Sequence, residues 1–439
     1  MKRTAIMLVA GDPSGDANAA ALVRELAAAV PAAQFQITDD TQPLTTPLAP
    51  RFFGAGGPKM AAAGVELAGD LTAQSVIGLG GLIKKLPMFR RLLRELTALA
   101  IERQPEVIIL VDYGGFNLRL ARAIKDYVRA RAGPFFNWRP KIVQFISPQV
   151  WASRPGRAKS MARDDDLVLS LFPFEQKWFA ANAPGLPVEF VGHPIFDTYP
   201  GRRPAQAPPG RDSGPPVILL LPGSRRAELR RHVPVMRGAA ALIAARQPAR
   251  FKMIVPDETM AQIARPFLPA GAGQISSCVP LSPRPRGESR REGFPKSVPH
   301  PLPAGQPAID LQTGGLADAL SSATLAITKS GTITLECAYF GVPSVTIYKT
   351  DPITYHVARH LANVKYLSMP NLLADEPICP ELIQGRATAG NIAAAALELL
   401  ADPARREAVR SKLGIVIQSL GGPGATRRAA AAILKLMRG

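Results

Sequence analysis

Val107-Ile108-Ile109-Leu110-Val111 runs directly into Asp112-Tyr113-Gly114-Gly115-Phe116-Asn117, and the fold is decided here. An apolar run with no polar break is what a parallel strand needs when helices cover both faces of its sheet. Working outward, residues 6–10 read as a strand and 17–30 as the helix after it. Residues 141–146 and 167–171 repeat the strand pattern. A second series opens at Val217–Leu221 and continues at 251–255, 325–328 and Ser344–Tyr348. Two sets of alternating strands and helices predict two doubly wound α/β halves. They join through the Pro-, Gly- and Arg-rich stretch 199–216.

The chain has 439 residues, 47% of them hydrophobic, so two cores of ordinary domain size are expected and a disordered or fibrous chain is excluded. Lys and Arg number 53 against 34 Asp and Glu, a net charge of +19. That excess predicts an anionic partner: a phosphorylated ligand, an anionic membrane surface or nucleic acid. The three cysteines have neither pairing nor metal-ligand spacing, which fits a reducing compartment. The apolar run at the start is too short for a secretory signal, and no stretch is long enough to span a membrane. Segments 39–50 and 280–308 read as insertions. The second, crowded with proline and arginine, is expected to be a disordered loop.

Chemistry concentrates at strand ends. Asp112, just past a buried strand and beside two glycines, is placed as a general base or as the cap of the next helix. The loop Gly11-Asp12-Pro13-Ser14-Gly15-Asp16 offers Ser14 and Asp16 as cleft-lining residues, without the spacing of a dinucleotide or Walker loop. In the second half, Leu221-Pro222-Gly223-Ser224-Arg225 follows a buried strand, and the Arg225 fork suits a diphosphate. Ser330-Gly331-Thr332 begins a second helix, whose N-terminus can hold phosphate, and Glu336 lies one turn in, suited to a ribose diol. His193 is a further candidate for the crevice. His356 and His360 stand four apart without a third ligand, so no metal site is expected. Residues 83–96 mix Leu, Phe and Met with cations. Lys84, Lys85, Phe89, Arg90 and Arg91 therefore form either a membrane-surface face or the solvated edge of a core helix.

Ten segments together resemble the lipid-A-disaccharide synthases, inverting glycosyltransferases of GT-B fold. They are AGDPSGD (10–16), FGAGGPKM (53–60), VIGLGGLIKKLP (76–87), VDYGGFN (111–117), FISPQVWASR (145–154), LFPFEQKWF (171–179), VGHPIFD (191–197), LLPGSRRAE (220–228), SGTITLEC (330–337) and YLSMPNLLA (366–374). The resemblance implies two Rossmann-like domains facing a central cleft. An acceptor and membrane-side domain would occupy 1–198, a UDP-sugar domain 199–404, and helices from about 405 to 439 would return to the first domain. It implies transfer of 2,3-diacylglucosamine from UDP to 2,3-diacylglucosamine 1-phosphate, giving a β-1,6-linked disaccharide phosphate and UDP. Asp112 would then be the base and Arg225, with Ser224 and Gly223, the diphosphate site. Ser330, Gly331 and Thr332 would hold phosphate, Glu336 the ribose and Asn371 the UDP moiety, while Asn117 and His193 would line the cleft.

The same resemblance implies no metal and no cofactor, the UDP-activated sugar being a substrate; no nucleic-acid partner is expected either, because the sequence carries no RNP-like aromatic pattern or recognition-helix signature. It places the protein in the cytoplasm, peripheral to the anionic inner membrane of a Gram-negative bacterium, and allows a homodimer with exchanged carboxyl-terminal parts. The chain departs from the family pattern at Gly114-Gly115, where Pro-Asp is usual, at Gly81, where a glutamate is usual, and at Asp12, Pro13 and Ser153. Alternative readings are a divergent or inactive paralogue and a UDP-sugar-processing enzyme of related fold.

Overall fold

A computed structural model describes residues 5–29, 51–71, 86–202, 214–268 and 307–438. Lys84, Lys85, Gly81 and the segments 39–50 and 280–306 lie outside the described residues.

The chain divides into two compact units. One comprises Met1–Gly201, Leu361–Asn363 and Ser419–Gly439; the other comprises Arg202–His360 and Val364–Gln418. In the first unit the strands are β1 (Ala5–Ala10), β2 (Arg51–Gly56), β3 (Glu66–Asp70), β4 (Val107–Val111), β5 (Lys141–Phe145), β6 (Leu167–Ser170) and β7 (Val188–Phe190). They form one parallel sheet of order β3-β2-β1-β4-β5-β6-β7. Every residue of β4 is buried, as its unbroken apolar run requires. The following helix, Gly114–Ala130, turns Phe116, Leu120, Ala121, Ile124 and Val128 inward at helical spacing.

The second unit repeats the plan with β8 (Val217–Leu221), β9 (Arg250–Val255), β10 (Ile309–Thr313), β11 (Leu325–Lys329), β12 (Ser344–Tyr348) and β13 (Glu381–Ile383). These run parallel in the order β10-β9-β8-β11-β12-β13. In each sheet the chain winds outward from its first strand and then restarts on the other side. The strand order therefore reverses between β1 and β4 and again between β8 and β11. Ligands of such sheets bind outside the carboxyl ends of the strands at these reversals. Ala10 pairs with Val111, and Leu221 with Thr328. Loop 11–16 thus emerges beside loop 112–117, and loop 222–225 beside loop 329–332.

The carboxyl-terminal return starts later than the sequence predicts. Helix Pro403–Gln418 packs on helices Thr332–Tyr339 and Met369–Ala374 of the second unit, and the crossing comes at Ser419. The last helix, Ala425–Arg438, packs on helix Pro13–Ala29 and on β5. Its start is capped from a distance: the Asp197 carboxylate accepts the Gly424 and Thr426 N–H groups at 2.6 and 3.0 Å. Nearby, the Arg428 Nε donates to the Val191 carbonyl at 2.8 Å. The VGHPIFD segment is therefore built to dock this helix.

Candidate active site

In the first unit, the ends of β4 and β5 carry three non-glycine residues in the left-handed region: Asp112 (φ 49°), Tyr113 (φ 55°) and Ile146 (φ 64°). This conformation costs energy, most of all for a β-branched residue, and it persists only where the surroundings enforce it. Here they do. The Asp112 N–H donates to the Phe145 carbonyl at 3.1 Å. The Asn117 amide donates to the Asp112 carbonyl at 2.5 Å and reaches the Val111 carbonyl at 3.4 Å. Gly11 leaves room for the Tyr113 ring, which a β-carbon there would overlap. The Tyr113, Phe116 and Phe89 rings then pack together with centroids 5.8 to 6.4 Å apart.

The Asp112 carboxylate, half-buried, accepts the Tyr113 N–H at 2.8 Å. Burial, with the charge of Asp12 adding to it, pushes its pKa up to about 6 against that hydrogen bond. The group is still mostly ionised at neutral pH, yet it is a stronger proton acceptor than an ordinary carboxylate. That is the tuning a general base requires.

Several sequence-predicted residues serve structure instead. Asp16 is fully buried, and its carboxylate takes the N–H groups of Gly57, Lys59 and Met60 at 2.9 to 3.0 Å, capping helix Pro58–Ala62 rather than lining a cleft. Asn117 is likewise buried beneath Asp112. His193 is buried: its Nδ1 accepts the Ile195 N–H at 3.1 Å, and its backbone N–H donates to the Leu420 carbonyl. Burial lowers its pKa to about 4, so the ring is neutral. Ser14 is exposed at the start of its helix. Phe89 is half-buried and packs in part against the core, while Arg90 and Arg91 are exposed, Arg91 pairing with Glu95 at 2.7 Å. Sequence reasoning missed Glu175. It is buried, accepts the Leu171 and Phe172 N–H groups and the Trp151 indole, and so ties the LFPFE and PQVW segments together. Burial raises its pKa to about 7.

In the second unit, Gly223 (φ 122°) turns the chain into helix Arg226–Ala244, and exposed Ser224 and Arg225 precede that helix. Glu228, in the first helical turn, accepts the Ser224 N–H at 3.0 Å. It also takes Lys329 Nζ at 3.2 Å, and the Arg225 guanidinium lies 3.7 Å away. Neither Glu228 nor Lys329 is singled out by the sequence motifs, although Glu228 stands four residues after Ser224, the spacing of one helical turn. His232, also missed, accepts the Lys349 N–H at Nε2 and bonds the Pro222 carbonyl at 2.8 Å through Nδ1, clamping the loop from beneath.

On the neighbouring loop, Gly331 (φ 140°) opens helix Thr332–Tyr339. The Ser330 hydroxyl is spent on the Leu367 carbonyl at 2.9 Å, while Thr332 is exposed and Glu336 half-buried. Asn371 does not face a ligand. It is fully buried, exchanging hydrogen bonds with the Cys379 backbone at 2.8 and 2.9 Å and donating to Glu381 at 2.9 Å. Glu381 also holds the Leu367 and Ser368 N–H groups. Asn371 therefore shapes the 366–374 segment from inside.

Two doubly wound parallel sheets in one chain define the GT-B class, shared by glycosyltransferases and UDP-sugar epimerases. The chain is similar over 99% of its length to a UDP-GlcNAc 2-epimerase from Neisseria meningitidis bound to UDP-GlcNAc, with TM-score 0.55, 10% identity and 100% of that chain covered. It is similar to the calicheamicin glycosyltransferase CalG4, with TM-score 0.54, 17% identity, and 99% and 98% of the two chains covered. Within this class the chain belongs to the lipid-A-disaccharide synthetase family, whose model matches residues 6–265 and 309–434. The match runs through 39–50 and leaves out 266–308. The chain is 34% identical to the lipid-A-disaccharide synthase of Geobacter sulfurreducens, covering 98% of this chain and 97% of the relative. It is 32% identical to that of Myxococcus xanthus with the same coverage. It is accordingly a glycosyltransferase of lipid A disaccharide synthesis.

Proposed function

We propose that the chain transfers 2,3-diacylglucosamine from UDP to the 6-hydroxyl of 2,3-diacylglucosamine 1-phosphate, with inversion, and that Asp112 accepts the hydroxyl proton. The observation that carries this reading is the Asp112 carboxylate, held on a strained strand end at a sheet reversal with its pKa raised to about 6. Inversion takes a single displacement. The attacking oxygen loses its proton as the bond to the anomeric carbon forms, and UDP departs with the electron pair of the broken bond. The departing diphosphate gathers negative charge. Arg225 and the helix start at Arg226 meet that charge with groups already in place, which lowers the barrier without reorganisation. Gly331, Thr332 and Glu336 complete the donor site, the last toward the ribose.

The acyl chains of both sugars require an apolar surface or a bilayer. Exposed Arg90, with Arg91 beside it in an ion pair to Glu95, offers positive charge to an anionic membrane surface, and the reading puts the protein at the cytoplasmic face of the inner membrane. Among the described residues no helix is long and apolar enough to cross a membrane. Incubation of the purified chain with both acylated sugars tests the reading by mass spectrometry. A disaccharide phosphate that appears only when donor and acceptor are both present supports transfer. Turnover of UDP-diacylglucosamine without acceptor would favour a UDP-sugar-processing reaction instead.

A further inference from the structure

At the reversal of the second sheet, where the donor diphosphate is assigned, a carboxylate of the protein itself occupies the anion position. Glu228 takes the Ser224 N–H, the Lys329 ammonium and the edge of the Arg225 guanidinium, at 3.0, 3.2 and 3.7 Å. These are the partners a phosphate would seek: a backbone donor at a helix start, a point cation and a planar fork. Gly223 adopts φ 122°, a conformation that glycine alone takes readily, and its missing β-carbon leaves room for the Glu228 side chain. Lys329 also reaches the other loop. Its Nζ lies 3.0 Å from where a β-carbon on Gly331 would stand, so the ammonium sits between the two helix starts. Glu228 and Lys329 are both mostly shielded from solvent, with side chains 18% and 19% exposed, whereas Arg225 is 56% exposed. A cation in that position pairs more strongly than one on the open surface.

We propose that Glu228 is a resident anion which keeps the diphosphate pocket assembled while it is empty, and that the donor diphosphate displaces it. Lys329 passes from the carboxylate to phosphate and becomes a diphosphate ligand in its own right. The proposal rests on the diphosphate site described under the proposed function and adds to it an exchange of anions. Without a resident carboxylate, Arg225 and Lys329 would repel each other across the empty pocket. With one, both are held in place, and the donor must compete for them. UDP affinity is then set partly by a group that never touches the sugar.

Calorimetric titration of the full chain with UDP and with UMP tests this, with thermal melting to confirm that each variant is folded. Glu228→Gln keeps an acceptor for the Ser224 N–H but removes the competing charge, so UDP should bind about three- to tenfold more tightly. Lys329→Met keeps the aliphatic stem but loses the charge, so UDP should bind about tenfold more weakly and UMP should lose less. If Glu228→Gln leaves UDP affinity unchanged or weakens it in a folded protein, Glu228 is scaffold alone and the exchange is wrong. Equal losses for UDP and UMP in Lys329→Met would remove Lys329 as a diphosphate ligand. A wild-type chain that binds no UDP would overturn the diphosphate site itself, and this proposal with it.

Discussion

Asp112 gathers three effects in one side chain: a left-handed backbone, a half-buried carboxylate and a like charge nearby at Asp12. A base must be ionised to accept a proton, so kcat/KM should rise with pH through about 6 and level off above it. Asp12→Asn removes the neighbouring charge and should move that acidic limb to lower pH, as measured by the pH–rate profile; an unmoved limb would dissociate Asp12 from the base. Asp112 stands out in the sequence because it follows an unbroken apolar strand directly, and Arg225 because it closes the Pro-Gly turn after another. Asp16, Asn117 and Asn371 are not, because a polar residue near a strand end looks the same whether it meets substrate or backbone. Only the hydrogen-bond partners decide: the Asp16 carboxylate takes backbone N–H groups, and the Asn117 and Asn371 amides donate to backbone carbonyls. Glu228 and Lys329 escape notice for the opposite reason. They lie 101 residues apart, and their meeting depends on β8 pairing with β11.

At the scale of elements, helix Gly114–Ala130 shows what the family departures do. A β-carbon on Gly114 would approach Pro148 Cβ to 2.7 Å, whereas Gly115 has open space around it. Gly115→Ala should therefore stabilise the fold by about 0.5–1 kcal/mol, the usual gain of alanine over glycine in a helix. Gly114→Ala should destabilise it, because Pro148 must move. Paired melting curves read both signs, and a stabilising Gly114→Ala would show that the turn after β4 is looser than described. The strands that the sequence displays are mainly apolar, β-rich runs, β5 and β9 among them despite Gln144 and Lys252. The glycine-rich β2, the alternating edge strand β3 and the short strands β7 and β13 give no such run, and their register comes from neighbours. Helix Leu86–Arg103 could be read two ways because its apolar stripe suits core and lipid alike. Leu92, Leu93, Leu96 and Ala100 go to the core.

For the molecule as a whole, stability and activity draw on different buried acids. Asp165 is buried just before β6, at the end of helix Arg157–Asp164, and accepts the Gln144 amide at 3.1 Å. Its other oxygen and the Gln144 oxygen have no partner among the described residues, and one proton on Asp165 would serve both. Burial pushes its pKa up to about 8, Asp164 and Asp166 adding to the rise while Gln144 and Lys125 oppose it. The folded state thus holds this proton more tightly than the unfolded chain. The stabilisation is complete below the ordinary aspartate range and is lost as pH rises through about 8. Asp165→Asn should flatten that decline in chemical denaturation between about pH 4 and pH 8; an unchanged slope would mean that Asp165 is already ionised. Two-domain organisation is legible from the repeated strand–helix series. The point where the chain crosses back is not, because helix Pro403–Gln418 has an apolar face that suits either unit.

The central claim is that the Asp112 carboxylate takes the acceptor proton, and the most direct measurement is the rate of disaccharide phosphate formation by wild type and Asp112→Asn at saturating donor and acceptor. The asparagine keeps the shape and cannot accept the proton, so the rate should fall by about two to four orders of magnitude while UDP affinity is retained. Turnover by Asp112→Asn within a few-fold of wild type would contradict the account.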